Sequence, residues 1–287
     1  MRTSSNPIFK NLPQQQGGGY AGFGSAAAGA GPSAQYGQQP YGYQQQYQPQ
    51  APSTSRPMTI DDVVTKTAIS LGVVTVAAVI SYALTAGNHG LAGLFALGGL
   101  VALGMSFFSM FKPDLQTKPA FVLTFAAAEG LFLGAVSFLL ANVRFGGSGG
   151  VGGSGMIAQA VLGTFGVFFG MLIVYKTGAI RVTPRFTRIM FGAMIGILVL
   201  MLGNVIAALF TPGGFGLRDG GPIAIIFSLV VIGIAAFSFL LDFDAADQLI
   251  RAQAPEKAAW QVAFGLTVTL VWLYLEILRL LSYLQND

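Results

Sequence analysis

Residues 221–241 read GPIAIIFSLVVIGIAAFSFLL, and Asp242 follows at once. The run holds no charge, is apolar on every side, and meets the roughly 20 residues that a helix needs to cross a hydrocarbon core. Further apolar stretches lie at Lys66 to Ala86, Leu91 to Phe111, Pro119 to Asn142, Gly155 to Tyr175, Thr187 to Phe210 and Ala258 to Tyr283. A transmembrane strand would alternate apolar and polar residues over about 10 positions, and no segment does. Charged residues make up only 9% of the chain and mean hydropathy is +0.65. The expected fold is all-α, a polytopic bundle of seven transmembrane helices in residues 58–287.

The basic residues orient the bundle. With the N-terminus in the cytoplasm, Arg2, Lys10, Arg56, Lys66, Lys112, Lys118, Lys176, Arg181, Arg185, Arg188, Arg251 and Lys257 all fall inside. Arg144 and Arg218 fall outside, and Arg279 lies within the last stretch. Lys and Arg concentrate in cytoplasmic loops, so the N-terminus is expected inside and the C-terminus outside. G-protein-coupled receptors and retinal proteins have the opposite N-terminal side, and a retinal protein needs a Schiff-base lysine that the last stretch lacks. The net charge of +4 is spread singly over short loops. That distribution argues for the lipid bilayer as partner and against nucleic acid.

Residues 1–57 are rich in Gln, Gly, Tyr, Pro and Ser, as in Tyr43-Gln44-Gln45-Gln46-Tyr47. Such a composition buries too little apolar surface to offset its ordering entropy, so a disordered cytoplasmic tail is expected. Its alternating Tyr and Gln suit either weak self-association and partner recruitment or a solvated tail with no specific partner. The first apolar run begins far from Met1, so no cleavable signal peptide is expected. The absence of cysteine removes disulfides, thiolate ligands and cysteine nucleophiles together.

The inventory leaves little for an enzyme. His89, the only histidine, stands in the short loop Gly87-Asn88-His89-Gly90, so two metal-binding histidines on one helix are excluded. A Ser-His dyad would need this loop-tip histidine to reach Ser106, Ser137 or Ser228 within the membrane. The glycine-rich run Phe145 to Gly155 reads as an external linker, without the Lys-Ser/Thr of a phosphate loop. Neither catalysis nor a cofactor is expected.

The acids are more informative. An ionisable residue in a membrane costs about 3 kcal/mol and usually faces the bundle interior, where it marks an ion or proton pathway. Glu129 falls roughly 15 Å into the third stretch, near the midplane, as a transport group or as a protonated acid bonded to a neighbouring helix. Asp242, Asp244 and Asp247 cluster where the sixth stretch meets the cytoplasm. Asp242 and Asp244 have the spacing that starts a calcium loop, without its glycine and distal glutamate, and suit either a cation-attracting pore mouth or an exposed helix end. Glu276, roughly 27 Å along the last stretch, has Arg279 as a candidate i, i+3 ion pair. By height, the acids form a ladder: Asp242 and Asp244 inside, Glu129 in the middle, Glu276 toward the outside. The pairs Gly130 and Gly134, Gly166 and Gly170, and Gly192 and Gly196 are spaced for close helix approach.

Three segments carry a resemblance: Ala128-Glu129-Gly130-Leu131-Phe132-Leu133-Gly134, then Asp242-Phe243-Asp244 with Gln248-Leu249-Ile250, then the ending from Leu266 to Arg279. In that order they resemble the Bax inhibitor-1 (transmembrane BAX inhibitor motif) family, in its bacterial YccA-like branch, over about Lys66 to the end. The opening Met1 to Lys10, with Ser5-Asn6-Pro7, is similar to an actinobacterial-type subgroup. The resemblance implies a bundle with the last helix at its centre, and a pH-sensitive calcium leak gated by paired aspartates on the sixth and seventh helices. The first aspartate falls on Asp244, with Asp242 as runner-up, and the second is replaced by Thr269. A tight hairpin centred near Ala254 would put Glu276 roughly 16 Å above Asp244, too far for a direct pair.

Two functions are thus expected to compete. One is a calcium or proton-sensitive cation leak lined by Glu129, Asp242, Asp244 and Glu276, in which Asp242 and Asp244 are candidate metal ligands. The other is a non-transporting regulator, for example of a membrane protease, with the tail as docking element. The expected location is the bacterial cell membrane.

Overall fold

Pro119, Pro184 and Pro222 each open a helix, where the missing N–H is one that the first turn leaves unpaired in any case. A computed structural model describes residues 56–142 and 153–285 of the chain. Among them run α1 (Ile60–Gly87), α2 (Leu91–Phe111), a 3-10 turn (Pro113–Thr117), α3 (Pro119–Asn142), α4 (Gly153–Thr177), α5 (Pro184–Ala208), α6 (Pro222–Arg251) and α7 (Ala258–Leu284). All seven helices are long and apolar enough to cross a membrane. The fold is thus an all-helical polytopic bundle. The tail expected over residues 1–57 lies, as far as residue 55, outside the described residues, as do Arg144 and most of the linker from Phe145.

Half of the α7 span is buried against 6% of the α5 span, which makes α7 the centre and α5 the periphery. α7 packs against α1, α3, α4 and α6, whereas α5 rests on α6 and α2 on α3. Large apolar side chains on α2 and α5, such as Leu103, Phe111, Ile189 and Leu198, stay exposed, as they would where lipid is the solvent.

Only the first of the three glycine pairs works as the spacing suggests. A Cβ on Gly130 or Gly134 would strike the α1 backbone at the carbonyls of Val74 and Ala78, so the two helices approach through bare backbone. Around Gly166, Gly170, Gly192 and Gly196 there is open space, and those pairs serve no close helix approach among the described residues.

α6 runs ten residues past Leu241, to Arg251. The run of aspartates there is a helical continuation and not an exit from the bundle. It ends in a C-terminal cap: Gln253 adopts φ 51°, its N–H reaches Ile250 O, and the Ala254 N–H reaches Leu249 O. At the opposite end of the sequence, Thr59 and Asp62 cap α1 reciprocally. The chain just before that cap pairs with the α6–α7 loop. Pro57 bridges Pro255, Met58 N–H donates to Ala254 O at 2.8 Å, and Glu256 N–H donates to Arg56 O at 3.0 Å.

Candidate functional site

The aspartate that meets Thr269 is Asp242. Thr269 Oγ1 donates to Asp242 Oδ2 at 2.7 Å, and Gly265, one turn earlier on α7, leaves room for the other carboxylate oxygen. Asp244, which the resemblance favoured, instead accepts from Gln248 Nε2 at 2.6 Å along its own helix. Residues two apart on a helix point to opposite sides, so Asp242 and Asp244 do not converge as a metal-ligand pair. Among the described residues no group of three His, Asp or Glu side chains converges for a metal. Asp242 reaches between Gly265 and Thr269, close to the level that a hairpin centred near Ala254 gives it, so helix face and not register separates it from Asp244. Glu276 lies seven residues beyond Thr269, about 10 Å along the helix.

Glu129 lies on a stripe of α3 that faces α7. Phe125, one turn before it, packs at a tilt against Phe264 with ring centroids 4.6 Å apart, and Leu133, one turn after, shares a core cluster with Val271. Glu129 thus stands level with the turn around Val268. It is half-buried and makes no hydrogen bond or ion pair with any described residue. Glu129, about 15 Å from the start of α3, and Asp242, about 14 Å from the end of α6, consequently occupy one level on two flanks of α7. Asp242 and Glu129, expected on separate rungs, thus share one tier along the bundle, and Glu276 stays apart from it.

Glu276 is 2% exposed and fully engaged. Arg218, from the loop before α6, approaches it with both terminal nitrogens at 3.1 and 2.9 Å, and Arg279 adds a third bond at 2.8 Å. The i, i+3 pair with Arg279 is present, but the larger contribution comes from a residue 58 positions away. Arg218 is steadied by the Phe227 ring beneath it, by Met201 Sδ, and by the Tyr283 hydroxyl, which donates to its carbonyl. This arrangement clamps the α5–α6 loop onto the C-terminal end of α7.

A second clamp holds the start of α7. Arg56 makes two hydrogen bonds to Asp62 at 2.9 and 2.6 Å and an ion pair with Glu256 at 3.3 Å. Lys66 Nζ donates to the carbonyl and the carboxylate of Glu256 at 2.9 and 3.2 Å and lies over Trp260. Met58 is 2% exposed and packs in the core cluster with Phe239, Phe243, Ala258 and Val262. The Arg56–Asp62 pair is local, whereas the contacts to Glu256 join the start of α1 to a loop nearly two hundred residues later and have no local sequence signature.

Asp247 pairs with Arg251 at 2.8 Å, close to the α6 C-terminus. The remaining polar candidates are dispersed. The exposed His89 ring lies 5.3 Å from Phe138, Ser137 shares a 2.8 Å hydrogen bond with Tyr274, and Ser228 is buried without a hydrogen-bond partner among the described residues.

Comparison with known proteins bears directly on this geometry. An uncharacterized protein of Chlamydia muridarum (strain MoPn / Nigg) is 30% identical over 113 residues, covering 38% of this chain and 44% of that protein. The chain therefore spans less than half of that relative. The family match is far more extensive: the Bax inhibitor 1-like family covers residues 6–286, which include every helix, both clamps and the Asp242–Thr269 contact. The chain belongs to the Bax inhibitor 1-like family.

Proposed function

We propose that this membrane protein is a cation leak controlled by Glu129 and Asp242, with calcium as the transported ion and protons as the regulator. The observation that carries the reading is Glu129, a mid-membrane carboxylate with no partner among the described residues, level with Asp242 across α7. An acid in that position is expensive, and its usual role is to meet a cation or a proton.

The chemistry follows from Thr269 in place of a second aspartate. A threonine hydroxyl donates to an ionised Asp242 and accepts from a protonated one, so the α6–α7 contact survives either state. Protons then act on charge and not on contact. Ionised Glu129 and Asp242 offer an entering cation two negative charges, and protonation withdraws them. Calcium flux is expected to fall as pH falls. Replacing Thr269 by aspartate would create two carboxylates at close range that cannot both ionise, which makes the pH response steeper.

The test is calcium entry into dye-loaded proteoliposomes between about pH 5 and 8, comparing the wild type with Asp242→Asn, Thr269→Asp and a form lacking residues 1–55. Expected are a leak lost in Asp242→Asn, a steeper pH response in Thr269→Asp, and little change without the tail. No leak from folded wild type, or an undiminished one in Asp242→Asn, overturns the reading. The location proposed with it is a bacterial cell membrane, with the N-terminus inside, in the YccA-like branch of the family.

A second reading is a non-transporting regulator of a membrane protease that docks through the tail. What favours it is the strap at Arg56–Met58, which joins the point where the tail enters to the α6–α7 loop. A regulator would lose its effect with the tail and tolerate neutral acids.

A further inference from the structure

We propose that the cavity between α1 and α4 is a binding site for one acyl chain of a bilayer phospholipid. Both helices pack against α7, but they stand apart from each other, leaving a cavity of about 540 Å³ floored by α3 and α7. No charged side chain lines it, which sets it apart from the acid tier and makes it a poor place for an ion. Its walls are apolar, including Leu71, Val74, Leu133, Leu270 and Val271. Thr75 and Val161 line it and are both exposed, so it opens onto the outer surfaces of α1 and α4.

Two features select an acyl chain over unspecific hydrocarbon. The first is length: from Leu71 to Tyr82 on α1 the cavity runs about 16 Å, close to half of a 30 Å hydrocarbon core and hence to one leaflet's chain. The second is where the polarity lies, since the lining hydroxyls of Thr75 and Thr164 are spent on the Leu71 and Ala160 carbonyls of their own helices. The hydroxyls of Tyr82, Ser137 and Tyr274 gather toward the end at which α1 finishes, where the ester carbonyl of a lipid in that leaflet belongs. Ser137 and Tyr274 share one hydrogen bond, and the Tyr82 hydroxyl makes none with any described residue, which leaves it free to donate to that carbonyl. A chain seated there would lie against Leu133 and Val271, the neighbours of Glu129 and Thr269, although the proposal does not depend on ion flux.

The test is photolabelling of the full chain in vesicles of phosphatidylethanolamine and phosphatidylglycerol that contain a phospholipid with a diazirine on its acyl chain. Labelled peptides are mapped by mass spectrometry. Label is expected to concentrate on the α1, α4 and α7 walls, above the level on the exposed face of α5. It should drop to the α5 level when Thr75→Phe and Val161→Phe together fill the mouth from two exposed positions, and fall partially in Tyr82→Phe. Uniform labelling of α1, α4 and α5, meaning annular lipid only, overturns the proposal. So does labelling unchanged in a filled variant that melts like wild type, or labelling by a free fatty acid probe but not by the phospholipid.

Discussion

Glu276, near the C-terminal end of α7, accepts three hydrogen bonds from two guanidiniums, while Glu129, halfway along α3, receives none from any described residue. The contrast extends to the regions around them. Both ends of α7 are fastened by ion pairs from elsewhere in the bundle, through Arg218 of the α5–α6 loop at one end and through Arg56, just before α1, with Lys66 of α1 at the other. The middle of α7 is flanked by two carboxylates, with no cation paired to either among the described residues. A buried charge whose hydrogen bonds are all met stays where it is, and removing its partner is what disturbs the fold. A buried acid left with an unused lone pair can respond to what arrives. The ends of α7 therefore serve architecture, and its middle carries the chemistry.

The largest expected effect comes from breaking the first clamp. Glu276→Gln strands two arginines that are each about three-quarters buried, and should destabilise the bundle by about 3 kcal/mol, read as a lowered melting temperature in detergent. Next is the clamp at the start of α7. Met58→Ala empties a fully packed position in the strap and should cost about 2 kcal/mol by the same assay, with faster proteolysis at the α6–α7 loop. In the middle, Thr269→Val removes the only hydrogen bond that Asp242 receives from a described side chain and should cost about 1 kcal/mol, visible as a small melting shift. The smallest stability change belongs to Glu129→Gln, within about 0.5 kcal/mol, since no described partner is lost. A large loss of stability in that variant would erase the distinction between ends and middle.

The helices were legible because uniform apolarity over a membrane-spanning length has few other meanings, and the centrality of α7 came with the family resemblance. The end of α6 was not legible: Asp242, Asp244 and Asp247 look like an exit from the membrane, yet the helix continues with Asp242 turned inward to Thr269. A count of residues across the α6–α7 link gives the level of each aspartate but not the face it presents, and face decides between Asp242 and Asp244. The Arg279 partner of Glu276 is visible at helical spacing, whereas Arg218 sits in a glycine-rich loop with nothing local to announce its destination. The same holds for Met58 and Glu256. Spacing alone also over-reads glycine, since Gly166 and Gly192 repeat the pattern of Gly130 without a helix opposite them.

The most direct measurement takes Glu129→Gln and Glu276→Gln side by side and reads calcium flux in proteoliposomes together with the melting temperature of each. Glu129→Gln should melt like wild type and lose flux, and Glu276→Gln should melt much lower. Wild-type flux in a Glu129→Gln protein that is fully folded would contradict the assignment of function to the middle of the bundle.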